Sequence, residues 1–389
     1  MKKLISDIDL RKKSVLLRVD FNVPLEGGKI ADTKRIDAAL ETIKYLLERN
    51  CKIVLVSHLG RPQGFDDSFS LKPVYQYLKS IFGEIVFFAS DVVGDDAKQK
   101  YSNLKNGQIL LLENVRFEKG EEEGDEVLAK KLANFGEIFV NDAFATAHRK
   151  HASTYVVAKH LPCVAGFLMG AEVNGINSII QNPARPFVVV CGGAKVKDKI
   201  KMLSHLATAC DVMLVGGAMA QTFLKAQGAN VGKSKIDEEG INHAKDILQY
   251  FSQNPTKKLI LPIDFVCENS NGIILEKDHL ENGDVAFDIG SKTAQIFSNE
   301  IMNAKTVLMN GPVGMFENDH FANGTKTVAK SLEKTNAKTL VGGGDSARAI
   351  KMFCDAKQIT HLSTGGGASL KMMEGGVLPC VSVLQEKED

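Results

Sequence analysis

Four times in its second half this chain repeats one local plan, in which an apolar run of strand length ends in clustered glycines and a helix-favouring stretch follows. The four are FVVVCGG (187–193), VMLVGG (212–217), TLVGGG (339–344) and HLSTGGG (361–367). Short continuous apolar runs suit strands buried on both faces, and a helix after each returns the chain to begin the next parallel strand. That restricts the region to a parallel α/β architecture. Glycine at such a turn admits close backbone approach, and the helix that follows directs unpaired N–H groups and a positive end at the same rim of the sheet. The combination forms a cradle for a polyphosphate.

The first half alternates in the same way but ends its strands differently. RVDFNVP (18–24), VSHLGRP (56–62), LLENVRF (111–117) and VNDAFATAHRKH (140–151) finish in Arg, His, Asn and Asp. Strand candidates are SVLLRVDF, KIVLVS, EIVFF, QILLLE and EIFVND, then FVVVC, VMLVG, LILPIDF, TVLMN and TLVG. A first helix is expected over 32–49, with Ile36, Leu40, Ile43, Leu46 and Leu47 on one stripe and Asp32 as its cap. Glu26, Gly27, Gly28 and Lys29 read as a hairpin turn. The acidic run from Glu118 to Glu126 reads as a solvated surface loop.

At 389 residues the chain exceeds what one core supports, and two domains of roughly 150–200 residues each are expected. The segment from about Gly170 to Pro186, helical to about Gln181 and closed by two prolines, is the expected junction. A net charge of +1 supplies no global field for nucleic acid or an anionic membrane. The 7 cysteines are odd in number, scattered and without a C-x-x-C pair, which argues against a disulfide framework or a zinc site. No apolar run reaches the roughly 18 residues of a membrane span, and Asp7 and Asp9 interrupt any leader-like N-terminus. A cytoplasmic protein is expected.

Asp20 and Asn22 alternate along an extended segment and share a face, where an acceptor and an amide suit a hydroxylated ligand. Arg35, Arg61, Arg116 and Arg149, with His58, His148 and His151, fall at or beyond strand ends, the rim where open α/β sheets bind ligands. Several convergent arginines fit a compound carrying carboxylate and phosphate. In GGAKVKDK, Lys195 and Lys199 stand four apart and are expected on one helical face beside a glycine turn. Lys197 and Lys201 are expected to be wet. Asp345 and Ser346 open a helix after three glycines, where a carboxylate can cap, hold a metal, or do both. In NGPVGMFE, Pro312 and two glycines open a cleft, and Glu317 is placed to accept from ribose hydroxyls.

The ordered set RVDFNVP, SHLGRP, LLENVRF, NDAF, AHR, GGAKVKDK, NGPVG, GGGDS and STGGGASL, over nearly the whole chain, resembles the phosphoglycerate kinase family. The resemblance implies two Rossmann-like parallel-sheet lobes facing across a cleft and joined by a helical hinge. Residues 1–170 would form a phosphoglycerate-binding lobe to which 375–389 return, 171–186 the interdomain helix and hinge, and 187–374 a nucleotide-binding lobe. It implies reversible phosphoryl transfer between 1,3-bisphosphoglycerate and Mg-ADP, giving 3-phosphoglycerate and Mg-ATP, by a monomer. Asp20, Phe21, Asn22, Arg35, His58, Leu59, Gly60, Arg61, Arg116 and Arg149 would then bind phosphoglycerate. Lys195, Lys199, Gly216, Gly217, Gly290, Asn310, Pro312, Val313, Glu317, Gly343, Gly344, Asp345 and Ser346 would bind the nucleotide, with Mg²⁺ on Asp345. Arg35, Lys195, Lys199, Gly344 and Gly367 would surround the transferring group.

Three departures from the commoner pattern are Met309 before Asn310, where Trp often stands, Ala145 for Gly, and Ser346 for Thr. A nicotinamide-dependent oxidoreductase on the same architecture is disfavoured, because no G-x-G-x-x-G opens a first strand–helix unit with an acid about 20 residues on. A binding protein without catalysis would be expected to have lost the lysines or Asp345, and both are retained.

Overall fold

The computed structural model describes residues 1–387. The chain divides into two compact units: Met1–Val173 together with the segment from Val377 onward, and Asn174–Gly376. The boundary falls inside one continuous helix, Phe167–Ile180.

In the first unit the strands are β1 (Ser14–Arg18), the hairpin β2 (Leu25–Glu26) and β3 (Lys29–Ile30), β4 (Lys52–Val56), β5 (Val86–Phe88), β6 (Ile109–Leu111), β7 (Ile138–Asn141) and β8 (Cys163–Ala165). The six long-range strands form one parallel sheet in the order β5-β6-β4-β1-β7-β8. β1 and β4 are buried along almost their whole length, as helices on both faces require. The helix Lys34–Glu48 turns Ile36, Ile43 and Leu46 into this core. Its N-cap is Thr33, while Asp32, the expected cap, accepts from the Lys34 N–H at 2.9 Å one position too early to take that role. Gly27 and Gly28 carry φ of 56° and 75° in the hairpin, the left-handed pair such a turn demands. EIVFF is strand only from Val86, because a 3₁₀ turn takes up Gly83–Ile85. The end of the chain lies along the beginning, with the Lys3 N–H donating to the Gln385 carbonyl at 2.8 Å.

The second unit contains β9 (Phe187–Cys191), β10 (Val212–Val215), β11 (Lys258–Ile260), β12 (Phe265–Glu268), β13 (Ile274–Lys277), β14 (Val285–Ile289), β15 (Thr306–Asn310), β16 (Lys338–Gly342) and β17 (His361–Leu362). Its main sheet is again six-stranded and parallel, β11-β10-β9-β15-β16-β17, with β13-β12-β14 as a separate antiparallel sheet. LILPIDF is therefore two strands in two sheets. Pro262 between them has no N–H for a ladder, and Ile263 is exposed. All seven cysteines are free.

Candidate functional site

Parallel pairing brings the C-terminal ends of β9, β10, β15, β16 and β17 to one rim of the second unit, and each runs into a glycine turn. The turn glycines 193, 217, 311, 343 and 366 have φ of 96°, 64°, 104°, 92° and 51°, values that a side chain would strain. Gly192 is required for another reason, since a Cβ there would run into the Pro312 and Gly311 carbonyls. The turns thus nest backbone against backbone. The turns after β9, β15, β16 and β17 line a cavity of about 400 Å³.

Of the residues expected to serve a nucleotide, Lys195, Lys199, Asn310, Pro312, Gly343, Gly344, Asp345 and Ser346 line this cavity. Gly193, Ala194, Asp198, Gly311, Gly366 and Leu370 complete the wall. These six were not singled out from the sequence, although three are positive-φ glycines of the same turns. Val313 is buried behind the cavity, where its N–H donates to Thr325 Oγ1 at 3.2 Å. Gly216 packs against it, so that a Cβ at Gly216 would come within 2.5 Å of Val313 Cβ. Gly217, Gly290, Glu317 and Gly367 lie outside the lining. Gly290 is the N-cap of Ser291–Met302 and abuts Asp264, whose carboxylate accepts from the Lys292 and Thr293 N–H groups at 2.8 Å each. Glu317 is engaged by Arg348, so its ribose-facing role would require that pair to open.

Lys195 and Lys199 do not share a helical face. A 3₁₀ turn spans Lys197–Lys199 and the α-helix begins only at Ile200, which leaves Lys195 in the turn itself. The two ammonium groups still reach one cavity. Lys195 is exposed, 3.9 Å from Asp198. Lys199 is half-buried, donates to the Gly192 carbonyl at 3.0 Å and to the Asn310 carbonyl at 3.3 Å, and is held below the usual lysine range by burial. Lys197 pairs with Glu239 at 2.8 Å. Ser346 is fully buried, and its hydroxyl accepts from the Gly311 N–H at 2.7 Å, which ties the β16 turn to the β15 turn. Asp345, with 74% of its side chain exposed, faces the opening. Among the described residues no group of three or more His, Cys, Asp and Glu could hold a metal ion. The wall holds two carboxylates, Asp345 and Asp198, the latter 3.9 Å from Lys195; a cation held by Asp345 would take its other ligands largely from phosphate oxygens and water, a coordination that suits Mg²⁺.

In the first unit the ends of β1, β4, β6 and β7 bring a cationic group together. Asp20 accepts from Arg35 at 2.8 Å and from the Asn22 N–H at 3.2 Å, and Asn22 Oδ1 accepts from the Gly60 N–H at 2.8 Å. Leu59 and Phe21 are buried behind, with the Phe21 N–H on Ser57 Oγ at 2.8 Å and the Leu59 N–H on Asn114 Oδ1 at 3.1 Å. Arg116 is buried and donates to the Gly60 carbonyl and to Glu122. Arg149 donates to His148 at 3.2 Å. Arg61 is exposed.

Under this group lies a buried chain that the sequence reading missed. Arg18, 1% exposed, donates to Ser153 Oγ at 2.8 Å and contacts His58 Nδ1 at 3.3 Å. Because guanidinium only donates, His58 Nδ1 is the acceptor. Burial, reinforced by Arg18, Arg116, Arg149 and Arg35, keeps that imidazole neutral at pH 7, and its 4.0 Å approach to Asp20 is no ion pair. Ser153 donates in turn to Glu121, by its hydroxyl at 2.6 Å and its N–H at 2.9 Å. Glu121 belongs to the acidic run expected to be a solvated loop. It sits instead on a short helix, Gly120–Glu123, and is 1% exposed. Burial pushes its carboxyl up, while Arg18 and the Ser153 donors pull the other way. The legible signal was an arginine inside an apolar strand, which calls for a buried counter-charge. His151, lowered to about 4 by burial and then by Arg149, is neutral beside it.

A family model described as phosphoglycerate kinase matches residues 5–376. The phosphoglycerate kinase of Pseudothermotoga lettingae is 47% identical over 397 residues, covering 100% of both chains. The solved structure of phosphoglycerate kinase from Coxiella burnetii is 36% identical, covers 98% of each chain and superposes with a TM-score of 0.92. That from Pyrococcus horikoshii is 32% identical, covers 99% of this chain and 98% of its own, and gives 0.82. The chain belongs to the phosphoglycerate kinase family. Its activity is the family's glycolytic one, reversible phosphoryl transfer between 1,3-bisphosphoglycerate and ADP to give 3-phosphoglycerate and ATP.

Proposed function

From this membership we propose how the two residue groups divide the reaction. The first unit binds phosphoglycerate: Arg35, Arg61, Arg116 and Arg149 take the phosphate and carboxylate, Asp20 and Asn22 take the hydroxyl, and His58, Leu59, Gly60 and Phe21 shape the loop between them. The second unit holds the nucleotide phosphates over Gly343, Gly344, Lys195 and Lys199, and the nucleoside near Gly216, Gly217, Gly290, Pro312, Val313 and Glu317. The single observation that carries this is the 400 Å³ cavity lined by four glycine turns, into which Lys195, Lys199 and the exposed carboxylate of Asp345 open.

The chemistry asks little of acid–base groups. A carboxylate acceptor ionises near pH 4, so no base has to take its proton. What remains is alignment and neutralisation of the transferring phosphoryl group. Lys195 and Lys199 bring fixed cations, the N–H groups of Gly344 and Gly367 bring oriented donors, and Arg35 supplies a forked cation from the phosphoglycerate side. The reacting complex thus needs donors of both units around one group. The carboxylate of Asp345 would hold Mg²⁺, which when bound neutralises phosphate charge. The protein would act as a cytoplasmic monomer, with hinge movement within residues 171–186.

The test couples 3-phosphoglycerate and ATP turnover to a spectrophotometric readout while Mg²⁺ is titrated. Turnover should vanish in EDTA, and Asp345→Asn should shift the Mg²⁺ dependence to higher concentration. Undiminished turnover in EDTA, or an unchanged dependence in the variant, would overturn the assignment of Asp345.

A further inference from the structure

A second cavity of the Asn174–Gly376 unit lies apart from the glycine turns, in the groove between the helices Ser291–Met302 and Asn323–Lys334. It encloses about 370 Å³. Lys326, Lys330 and Lys334 line it from one helix, Ser298 and Met302 from the other, and no carboxylate is in its wall. Spacing by four sets the three ammonium groups on one helical face over about 12 Å of axis. Like charges at that spacing disfavour a helix, so the stripe does not serve the fold. The acids nearby compensate it only in part, with Glu333 drawn to both Lys330 and Lys334. Glu333 pairs with Lys330 at 2.8 Å, and Glu300 is turned to Lys258 at 2.9 Å. Lys326 and Lys334 form no salt bridge among the described residues. In a chain of net charge +1 this is a local concentration of positive charge inside a concave site.

We propose that this groove is a further anion site, apart from the two substrate sites, for a small compound carrying two or more phosphate groups. The row of charges is longer than one phosphate can cover, and the enclosed volume has small-molecule size. Lysines are point charges that accept phosphate without a fixed geometry. The Ser298 and Thr327 hydroxyls at the lining offer further donors, and Met302, 46% exposed, gives an apolar wall for the remainder of such a compound.

The probe is inorganic tripolyphosphate, titrated into protein saturated with both ADP and 3-phosphoglycerate so that the substrate sites are filled. Carbon-13 methyl-methionine NMR reads Met302 directly, and calorimetry reads stoichiometry. The expected result is a saturable shift of the Met302 methyl signal with one equivalent bound. The triple variant K326Q/K330Q/K334Q should weaken this binding at least about tenfold, through loss of charge-assisted contacts, with kcat and KM unchanged. Glutamine is a good helix former, so the helix is retained. No Met302 shift, an equal shift in the triple variant, or full loss of binding in sodium chloride of matched ionic strength would each overturn the proposal, the last by showing a diffuse ion atmosphere.

Discussion

Gly344→Ala separates a glycine kept for the fold from one kept for a ligand. Gly344 is the first residue of the helix Gly344–Phe353, and its neighbour Gly343, at φ 92°, takes the strained turn. A Cβ at Gly344 would meet nothing within 4 Å, so the substitution costs no packing. Restricting the unfolded chain and favouring the helix should add about 0.5–1 kcal/mol of stability, or roughly 1–4 °C in Tm for a unit of this size. The Cα–Cβ bond of a helical residue leans toward the N-terminus, and here that direction is the cavity. A methyl group there should displace the anion from the N–H it would otherwise meet. Losing one charge-assisted hydrogen bond, about 1.5–3 kcal/mol, lowers kcat/KM for ATP by roughly 10- to 100-fold. Scanning calorimetry and the coupled assay measure both on one preparation. A variant with raised Tm and wild-type kcat/KM would refute the phosphate cradle at this helix end, and a lowered Tm would refute the reading of open space.

Glu121→Leu leaves the Ser153 donors unpaired and Arg18 without its buried counter-charge. The expected cost is about 3–5 kcal/mol, read as an earlier urea transition, and a loss below about 1 kcal/mol would count against the buried chain. Asp288 is raised from 3.8 to about 7 by burial, against the pull of the Gly324 and Ile289 N–H groups. The native state therefore keeps a proton that the unfolded state releases, so this contribution to stability is full below about pH 4 and is lost as pH climbs toward 7. Asp288→Asn should remove that dependence, worth up to about 1.4 kcal/mol per pH unit, from unfolding curves taken at pH 4 to 7. Superimposable pH profiles of variant and wild type would contradict it.

The second unit was largely legible because its chemistry is carried by backbone. A glycine after an apolar run marks a turn wherever the sheet lies, and parallel pairing then collects the turns of β9, β10, β15, β16 and β17 without any side chain choosing its partner. The arginines of the first unit were legible for the same topological reason. Arg18 and Glu121 were not, since an arginine in a strand and a run of acids are 135 and 32 residues from the Ser153 that joins them, and only the folded sheet makes them neighbours. The Lys195 and Lys199 spacing fits an α-helix, but the glycine turn continues into a 3₁₀ turn before the helix starts, so their convergence comes from the cavity and not from a shared face. Pro262 was visible in LILPIDF, yet its effect, sending the two ends to different sheets, depends on partners far along the chain.

Arg35 and Lys195 are proposed to serve the transferring phosphoryl group, and the most direct measurement is kcat of Arg35→Ala and Lys195→Ala in the coupled assay. Both side chains are substantially exposed, at 47% and 56%, so the fold should keep its unfolding midpoint in each variant. The expected fall in kcat is about a hundredfold or more for each. Near-normal turnover in either variant would contradict the proposed role of that side chain.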